Sequence, residues 1–247
     1  MARPVKKRST PARRAADARR RFIILGGISV VAAIFVAALV LIVVQSGSSS
    51  GSSAKTTAVP TIDVPRNGTT LGYPDAPVTI NEYADYQCPY CGEFARNIQP
   101  QVIQQLVATK KAKLVFHDYA FIGQESLDAA VGALCADQQG KFWEYHDTLF
   151  ANQDGENRGT FSPSKLRGFA SRLGLDMTKF DACFNSADMT ARVMQENQAA
   201  RALGVQATPT FFVGNQVLRG VPTIQELVRA VNQVAGAAPP TGTPAGK

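Results

Sequence analysis

Hydrophobic and polar positions change pattern three times along the first half of the chain. Residues 22–44 form a run of 23 residues without a charge, which at about 1.5 Å per residue can cross a hydrocarbon core of about 30 Å as a helix. Apolar residues then alternate from Val78 to Ala84, which predicts a β-strand. Beyond Cys91, apolar residues recur at helical spacing, at Phe94, Ile98, Val102, Ile103 and Leu106. The chain therefore predicts a membrane-spanning helix and, further on, a domain that opens with a strand and a helix.

The rest of the domain follows the order β-α-β, a helical block, and then β-β-α. A second strand is predicted over Lys113–His117. Helices are predicted next, over Ser126–Gln139, Phe142–Phe150, Pro163–Leu173, Met177–Phe184 and Ala187–Leu203. Strand character returns at Thr210–Val213 and Gln216–Leu218, which a turn at Gly214-Asn215 joins. A helix over about 223–234 closes the domain, and the fold class is α/β.

Positive charge is concentrated before the apolar run. Nine of the 26 basic residues and one of the 19 acidic residues lie in residues 1–21, so the 17 basic and 18 acidic residues that follow nearly cancel. The positive-inside rule places this basic tail in the cytoplasm and the rest of the chain outside it. The net charge of +7 thus reflects orientation in a membrane, and we do not predict nucleic-acid binding. Cleavage near Ser53-Ala54, as in a signal peptide, is the alternative to a retained anchor.

Composition sets the remaining boundaries. Residues 45–70 are rich in Ser, Gly, Thr and Pro, which predicts a flexible tether. Residues 71–236 are assigned to one domain, since this length is ample for a single hydrophobic core. Residues 237–247 are rich in Pro, Gly and Ala and are predicted to be disordered.

The sequence Cys88-Pro89-Tyr90-Cys91 lies where the strand of the domain passes into its helix. Unpaired N–H groups at a helix start stabilise a thiolate, and C-x-x-C cysteines there can have pKa values of roughly 3.5 to 7.5. Pro89 suits the first helical position, because its missing N–H would have no partner there. We therefore predict a redox-active pair with Cys88 as an exposed nucleophile and Cys91 as the resolving thiol. Half of a zinc site and a purely structural bridge are the alternatives, although no second ligand pair has zinc-site spacing.

Three stretches match a known family: residues 83–92 (Tyr-Ala-Asp-Tyr-Gln-Cys-Pro-Tyr-Cys-Gly), residues 140–144 (Gly-Lys-Phe-Trp-Glu) and residues 204–212 (Gly-Val-Gln-Ala-Thr-Pro-Thr-Phe-Phe). On these the chain resembles the DsbA-like branch of the thioredoxin superfamily, most of all its membrane-anchored bacterial forms. Cys-Pro-Tyr-Cys also occurs in glutaredoxins, but those are compact. The resemblance implies a thioredoxin fold with an inserted helical domain at about residues 121–203, preceded by one transmembrane helix.

The resemblance also assigns residues to substrate binding. Thr208 and Pro209 match the family's cis-proline segment, which lies beside the active-site disulfide and offers its backbone to an extended substrate peptide. Thr208 would in addition tune the redox poise and the release of substrate. Pro89 and Tyr90, between the two cysteines, are implied to contact substrate as well.

An acidic residue is implied beneath the cysteine pair. Glu82 stands where relatives often carry a buried acid that assists proton transfer to the resolving thiol. Burial would raise the pKa of that carboxyl group, which suits the task. Asp85 is a rival for this role, and an exposed acid on the strand is the other interpretation of Glu82.

Cys135 and Cys183 fall in the helical block. Some members of the family carry a second disulfide there, and a bridge between these thiols would stabilise the domain by about 4 kcal/mol in the chain-entropy model. Two buried free thiols are the alternative.

The function that the resemblance implies is the introduction of disulfides into exported proteins that carry reduced cysteines. A membrane-bound partner of the DsbB or VKOR type, which passes electrons to quinone, would reoxidise the pair. The catalytic domain would lie outside the cytoplasm on a single-pass anchor in the cell membrane. A reductase or isomerase of the same fold and a redox-inert, tethered peptide-binding module are the alternatives. No cofactor and no metal are predicted.

Overall fold

The computed structural model describes residues 63–237. The basic tail, the apolar run at 22–44, most of the predicted tether and residues 238–247 lie outside this range, so the predictions for them stay predictions. Among residues 63–237, no helix combines the length and the apolar character that crossing a membrane requires.

A six-stranded sheet lies at the centre of the described domain. In chain order its strands are β1 (Arg66–Asn67), β2 (Thr70–Leu71), β3 (Val78–Ala84), β4 (Ala112–Asp118), β5 (Thr210–Val213) and β6 (Gln216–Arg219). Across the sheet they follow the order β1-β2-β4-β3-β5-β6, with β3 parallel to β4 and the other neighbours antiparallel. A parallel pair needs a long crossover, and the first helical run of the domain provides it.

Helices occupy the connections in the predicted order. The run over 89–107 contains α1 (Pro89–Glu93) and α2 (Gln99–Val102), each followed by a π-helical turn, at Phe94–Ile98 and Ile103–Val107. Between β4 and β5 lies a helical insertion made of α3 (Gln124–Asp137), α4 (Phe142–Ala151), α5 (Pro163–Arg172), α6 (Met177–Phe184) and α7 (Ala187–Ala202). The last helix is α8 (Ile224–Ala237). The predicted α/β order with inserted helices is confirmed, and element ends differ by a few residues.

Local capping explains where several helices begin. Asp176 accepts hydrogen bonds from the N–H groups of Thr178 and Lys179 at the start of α6. Before α8, the Thr223 N–H donates to Glu226 Oε2 at 2.7 Å and the Glu226 N–H donates to Thr223 Oγ1 at 3.3 Å. This reciprocal pair is a capping box, which satisfies N–H groups that the helix leaves free.

The folded domain begins earlier than the sequence predicted. Residues 66–71 form the β1–β2 hairpin, which adds to the edge of β4, and Val64 is already buried in the core. Gly68, at a φ of 57°, turns the chain between the two strands. The predicted end of the tether at residue 70 is therefore wrong. The sequence did not reveal the hairpin because strands of two residues are too short to show a periodic pattern.

An aromatic cluster joins the sheet to the insertion. Phe116 of β4 lies with its ring centroid 5.3 Å from that of Tyr86 and 4.9 Å from that of His146. Phe142 and Phe150 of α4 complete the cluster around Phe116. All of these rings are buried, so the loop that carries Tyr86 is held between the sheet and the insertion.

Cys135 of α3 and Cys183 of α6 form a disulfide within the insertion, 48 positions apart in sequence. Cys88 and Cys91 are free thiols in this structure. The bridge therefore ties two helices of the insertion together and leaves the other two thiols available for chemistry.

We expect the double variant Cys135→Ala/Cys183→Ala to lose about 2 to 5 kcal/mol of unfolding free energy, because the unfolded chain regains the conformational freedom of a segment of about 50 residues that the bridge had closed into a loop. Denaturant unfolding in oxidising buffer measures this loss, with Cys88→Ser and Cys91→Ser in both proteins so that only one bridge differs. A reductant should lower the midpoint of the protein that keeps the bridge. Equal midpoints with and without the bridge would contradict the expectation.

Candidate active site

The two free thiols lie at the junction of β3 and the first helical run. Cys88 is the residue just before α1, has an extended backbone, and accepts a hydrogen bond on its carbonyl from the Gly92 N–H at 3.1 Å. Pro89 occupies the first turn of α1, as predicted. Cys91 follows inside the helix. The sequence therefore places one thiol at the helix start and the other a turn further on.

Neither thiol is exposed. Cys91 is fully buried and Cys88 retains 5 % of its accessible surface. The Thr208 backbone lies against Cys88, whose Sγ donates to the Thr208 carbonyl at 3.3 Å. The prediction of an exposed nucleophile is therefore wrong in this state, because a segment far away in sequence covers Cys88. Tyr90, between the thiols, is 62 % exposed.

The surroundings separate the pKa values of the two thiols. A hydrogen bond from the Cys91 thiol lowers the pKa of Cys88 to about 6 against the opposing effect of burial, and the Thr208 side chain and the N–H groups of Cys91 and Tyr90 assist. Burial raises the pKa of Cys91 well above its usual value, and its hydrogen bond to Cys88 raises it further. At neutral pH, Cys88 is thus the thiolate and Cys91 the thiol.

The Thr208–Pro209 peptide bond is cis, as the resemblance implied. Thr208 and Pro209 directly precede β5, and the Pro209 carbonyl accepts a hydrogen bond from the Gly220 N–H at 2.9 Å. Their position beside Cys88 brings together two parts of the chain that are 120 residues apart.

Glu82 is fully buried. On β3 it is paired across the sheet with Phe116 on one side and Phe211 on the other. Within the described residues, neither of its carboxyl oxygens has a hydrogen-bond partner. Burial raises the pKa of Glu82 to about 8, and a charge on Glu82 would raise the pKa of Cys91.

Asp85 is also buried, but its carboxylate is saturated with donors. Its Oδ1 accepts from the Gln87 N–H at 2.8 Å and from Ser126 Oγ at 2.6 Å. Its Oδ2 accepts from the N–H groups of Phe121 and Ile122 at 2.9 and 3.1 Å. Asp85 therefore fastens the active-site loop, whereas the carboxyl group of Glu82 has no hydrogen-bond partner among the described residues.

Polar side chains that the sequence analysis did not single out tie this loop to the insertion. Gln87 donates through Nε2 to Ser126 Oγ at 2.9 Å and accepts from the Asn157 N–H at 2.6 Å. Gln153 donates to the carbonyls of Tyr86 and Cys88. Single glutamines in loops carry no sequence signal, so these contacts were not predictable.

A metal site is not formed by the residues that the structure describes: no three of their His, Cys, Asp and Glu side chains are grouped closely enough to hold an ion. His117 hydrogen-bonds to Asn81 Oδ1 at 2.9 Å, and His146 Nδ1 lies 3.0 Å from Asp147 Oδ1. Both histidines lie in the packed framework.

Residues 65–233 match the family model described as Thioredoxin. The chain belongs to the thioredoxin family and, within it, to the DsbA-like thiol–disulfide oxidoreductases. Disulfide bond formation protein D of Bacillus subtilis is 25 % identical over 166 residues, which cover 66 % of this chain and 75 % of that protein. The structure of oxidised BdbD from Bacillus subtilis superposes with a TM-score of 0.64 at 24 % identity, over 69 % of this chain and 94 % of that one.

A second group of relatives carries a different name. The Na(+)/H(+) antiporter NhaA 3 of Salinispora tropica is 36 % identical over 165 residues, which cover 64 % of this chain. These residues span only 23 % of the antiporter's length. The similarity therefore concerns a segment of that protein about as long as the domain described above.

Glu82→Gln and Asp85→Asn should change stability in opposite directions. The folded pKa of Glu82 is raised, so the folded state pays for ionising it as pH rises from about 4.5 towards 8. Glu82→Gln should therefore have an unfolding free energy about 2 kcal/mol or more above that of the parent at pH 8, and little above it at pH 5. Asp85→Asn should lose about 2 to 4 kcal/mol of unfolding free energy, because the NH2 group of asparagine cannot accept the hydrogen bonds that a carboxylate oxygen accepts there.

Denaturant unfolding of both variants and the parent at pH 5 and pH 8 checks these signs. The two substitutions are matched, since each replaces a buried carboxyl group near the C-terminal end of β3 by its amide. An equal stability change of Glu82→Gln at both pH values would contradict a buried acid with a raised pKa.

Proposed function

We propose that this chain is an extracytoplasmic oxidoreductase that introduces disulfides into exported proteins through Cys88 and Cys91. The observation that carries this proposal is the separation of the two pKa values, to about 6 for Cys88 and well above the usual range for Cys91. A stabilised thiolate favours the reduced dithiol, which makes the corresponding disulfide a strong oxidant.

The reaction begins with the Cys88–Cys91 disulfide. A substrate thiolate attacks Cys88 Sγ, forms a mixed disulfide with it and releases Cys91, which takes up a proton. The second thiolate of the substrate then attacks the substrate sulfur in that mixed disulfide and releases Cys88 as a thiolate. The substrate loses two electrons and the enzyme gains them. A leaving thiol of low pKa departs faster, so the pKa of Cys88 favours the second step.

Neighbouring residues take the roles that the family suggests. Glu82, buried and without a hydrogen-bond partner among the described residues, exchanges the proton of Cys91. Thr208 and Pro209 offer backbone groups beside Cys88 to an extended substrate peptide. Pro89 and the exposed Tyr90 contact the same substrate.

Turnover needs an oxidant for the dithiol. A membrane-bound partner of the DsbB or VKOR type, which delivers electrons to quinone, supplies it in this proposal. The apolar run at 22–44 after a basic tail supports a single-pass anchor in the cell membrane, with the catalytic domain outside the cytoplasm. Such an anchor would keep the pair close to a membrane-bound reoxidant.

A reductase or isomerase would use the same residues in another direction. The name of the Bacillus subtilis relative, disulfide bond formation protein D, supports the oxidase. The antiporter of Salinispora tropica is a protein of which this chain matches only 23 %, so its name gives no support for transport by this chain. A redox-inert peptide-binding module would have no use for two free thiols with separated pKa values.

The proposal is tested by the oxidative refolding of a reduced, unfolded protein that has two disulfides in its native state. The oxidised full chain should restore the activity of this test protein, while Cys88→Ser should abolish that effect. Cys91→Ser, mixed with the oxidised form of the test protein, should accumulate a mixed disulfide, because the Cys88 thiolate attacks a disulfide of that protein, releases one of its sulfurs as a thiolate, and no resolving thiol is present; a non-reducing gel shows this species. Undiminished function of Cys88→Ser would indicate a binding module, and rapid reduction of insulin without refolding activity would indicate a reductase.

A further inference from the structure

Gln153 reaches from the insertion into the active-site loop. It lies two residues beyond the end of α4, and its Nε2 donates to the Tyr86 carbonyl at 2.6 Å and to the Cys88 carbonyl at 2.9 Å. One amide group therefore holds both ends of the Tyr86–Cys88 segment. The second of these carbonyls belongs to the residue that carries the nucleophilic sulfur.

Arg96 fixes the orientation of this amide. Arg96 Nη1 donates to Gln153 Oε1 at 3.1 Å and to the Phe150 carbonyl at 2.7 Å. A guanidinium group only donates and backbone carbonyls only accept, so Oε1 must face Arg96 and Nε2 must face the loop. Each polar atom of the Gln153 side chain thus has a matching partner.

Gly92 leaves the space that Gln153 fills. A Cβ atom at Gly92 would overlap Gln153 Oε1 and would crowd Arg96 Nη1. Gly92 has ordinary helical geometry, so its backbone would accept alanine. The small residue next to Cys91 is therefore required by the side chain of Gln153.

We infer that Gln153 is a positioning residue for the exchange reaction, which holds Cys88 so that its sulfur stays against the first N–H groups of the helix. This deepens the function proposed above and rests on Cys88 as the nucleophile. The amide acts through the backbone of Cys88 and does not touch the substrate or the reacting sulfur. It also connects the insertion to the site, so that the insertion contributes to the reactivity of Cys88.

Gln153→Met keeps the length of the side chain and removes its N–H donors. The reduced full chain is alkylated with iodoacetamide between pH 4 and pH 9, and the rate at Cys88 is followed by mass spectrometry. We expect the rate at pH 5 to fall about tenfold, since two lost hydrogen bonds weaken the stabilisation of the thiolate. At pH 9 the rates of variant and parent should agree, because Cys88 is then a thiolate in both proteins.

Gln139→Met is the matched control. Gln139 is also a half-buried glutamine of the insertion, and it too bridges backbone groups, donating to the Asp176 carbonyl at 3.2 Å and accepting from the Asp176 N–H at 2.8 Å. Its side-chain hydrogen bonds go to Asp176 and not to the Tyr86–Cys88 segment. This variant should lose a similar amount of thermal stability and keep the pH profile of the parent.

Gly92→Ala tests the same contact from the other side. It should displace Gln153 and lower the rate at pH 5 much as Gln153→Met does. In a Gln153→Ala background only the flexible end of Arg96 still crowds this position, so adding Gly92→Ala should leave the profile of that background nearly unchanged.

A Gln153→Met profile equal to that of the parent would overturn the inference, and so would rates reduced equally at all pH values, which indicate lost access to Cys88. Additive effects of Gly92→Ala and Gln153→Ala would overturn it as well. None of these rates depends on the direction of electron flow. The inference can therefore fail while the proposed oxidase activity stands, and the reverse is also possible.

Discussion

The structure depends on a thiolate that is held in a largely buried place at the start of a helix. A buried charge needs hydrogen-bond donors in place of water. Cys88 finds them in the Cys91 thiol, in the Thr208 side chain and in the N–H groups of the first turn of α1. These donors come from the start of the first helical run and from a loop 120 residues away. The fold as a whole is thus required to keep one sulfur reactive.

Stability and function make different demands on the two buried carboxyl groups near this sulfur. Asp85 is satisfied by four donors and fastens the loop. Glu82 has no such partners among the described residues, and burial keeps it protonated to a pH of about 8. An unsatisfied acid in a core costs stability, and such residues are found where chemistry requires them. The contrast supports a proton-exchange role for Glu82 and a framework role for Asp85.

Local patterns were sufficient to predict much of this arrangement. Strand alternation before Cys88 and helical spacing after Cys91 located the junction, and the family resemblance located Pro209. What sequence could not predict depends on contacts between distant segments. The burial of Cys88 by Thr208 and the bonds of Gln153 to a loop 65 residues earlier have no periodic signal. The β1–β2 hairpin was missed because its strands are shorter than any pattern that could reveal them.

The central claim is that the protein donates disulfides, and the reduction potential of Cys88 and Cys91 tests it most directly. The full chain, kept in mild detergent, would be equilibrated in glutathione buffers and its thiols counted by alkylation. The account predicts a potential near that of a strong disulfide donor, about −120 mV. A potential near that of thioredoxin, about −270 mV, would contradict it and identify a reductase.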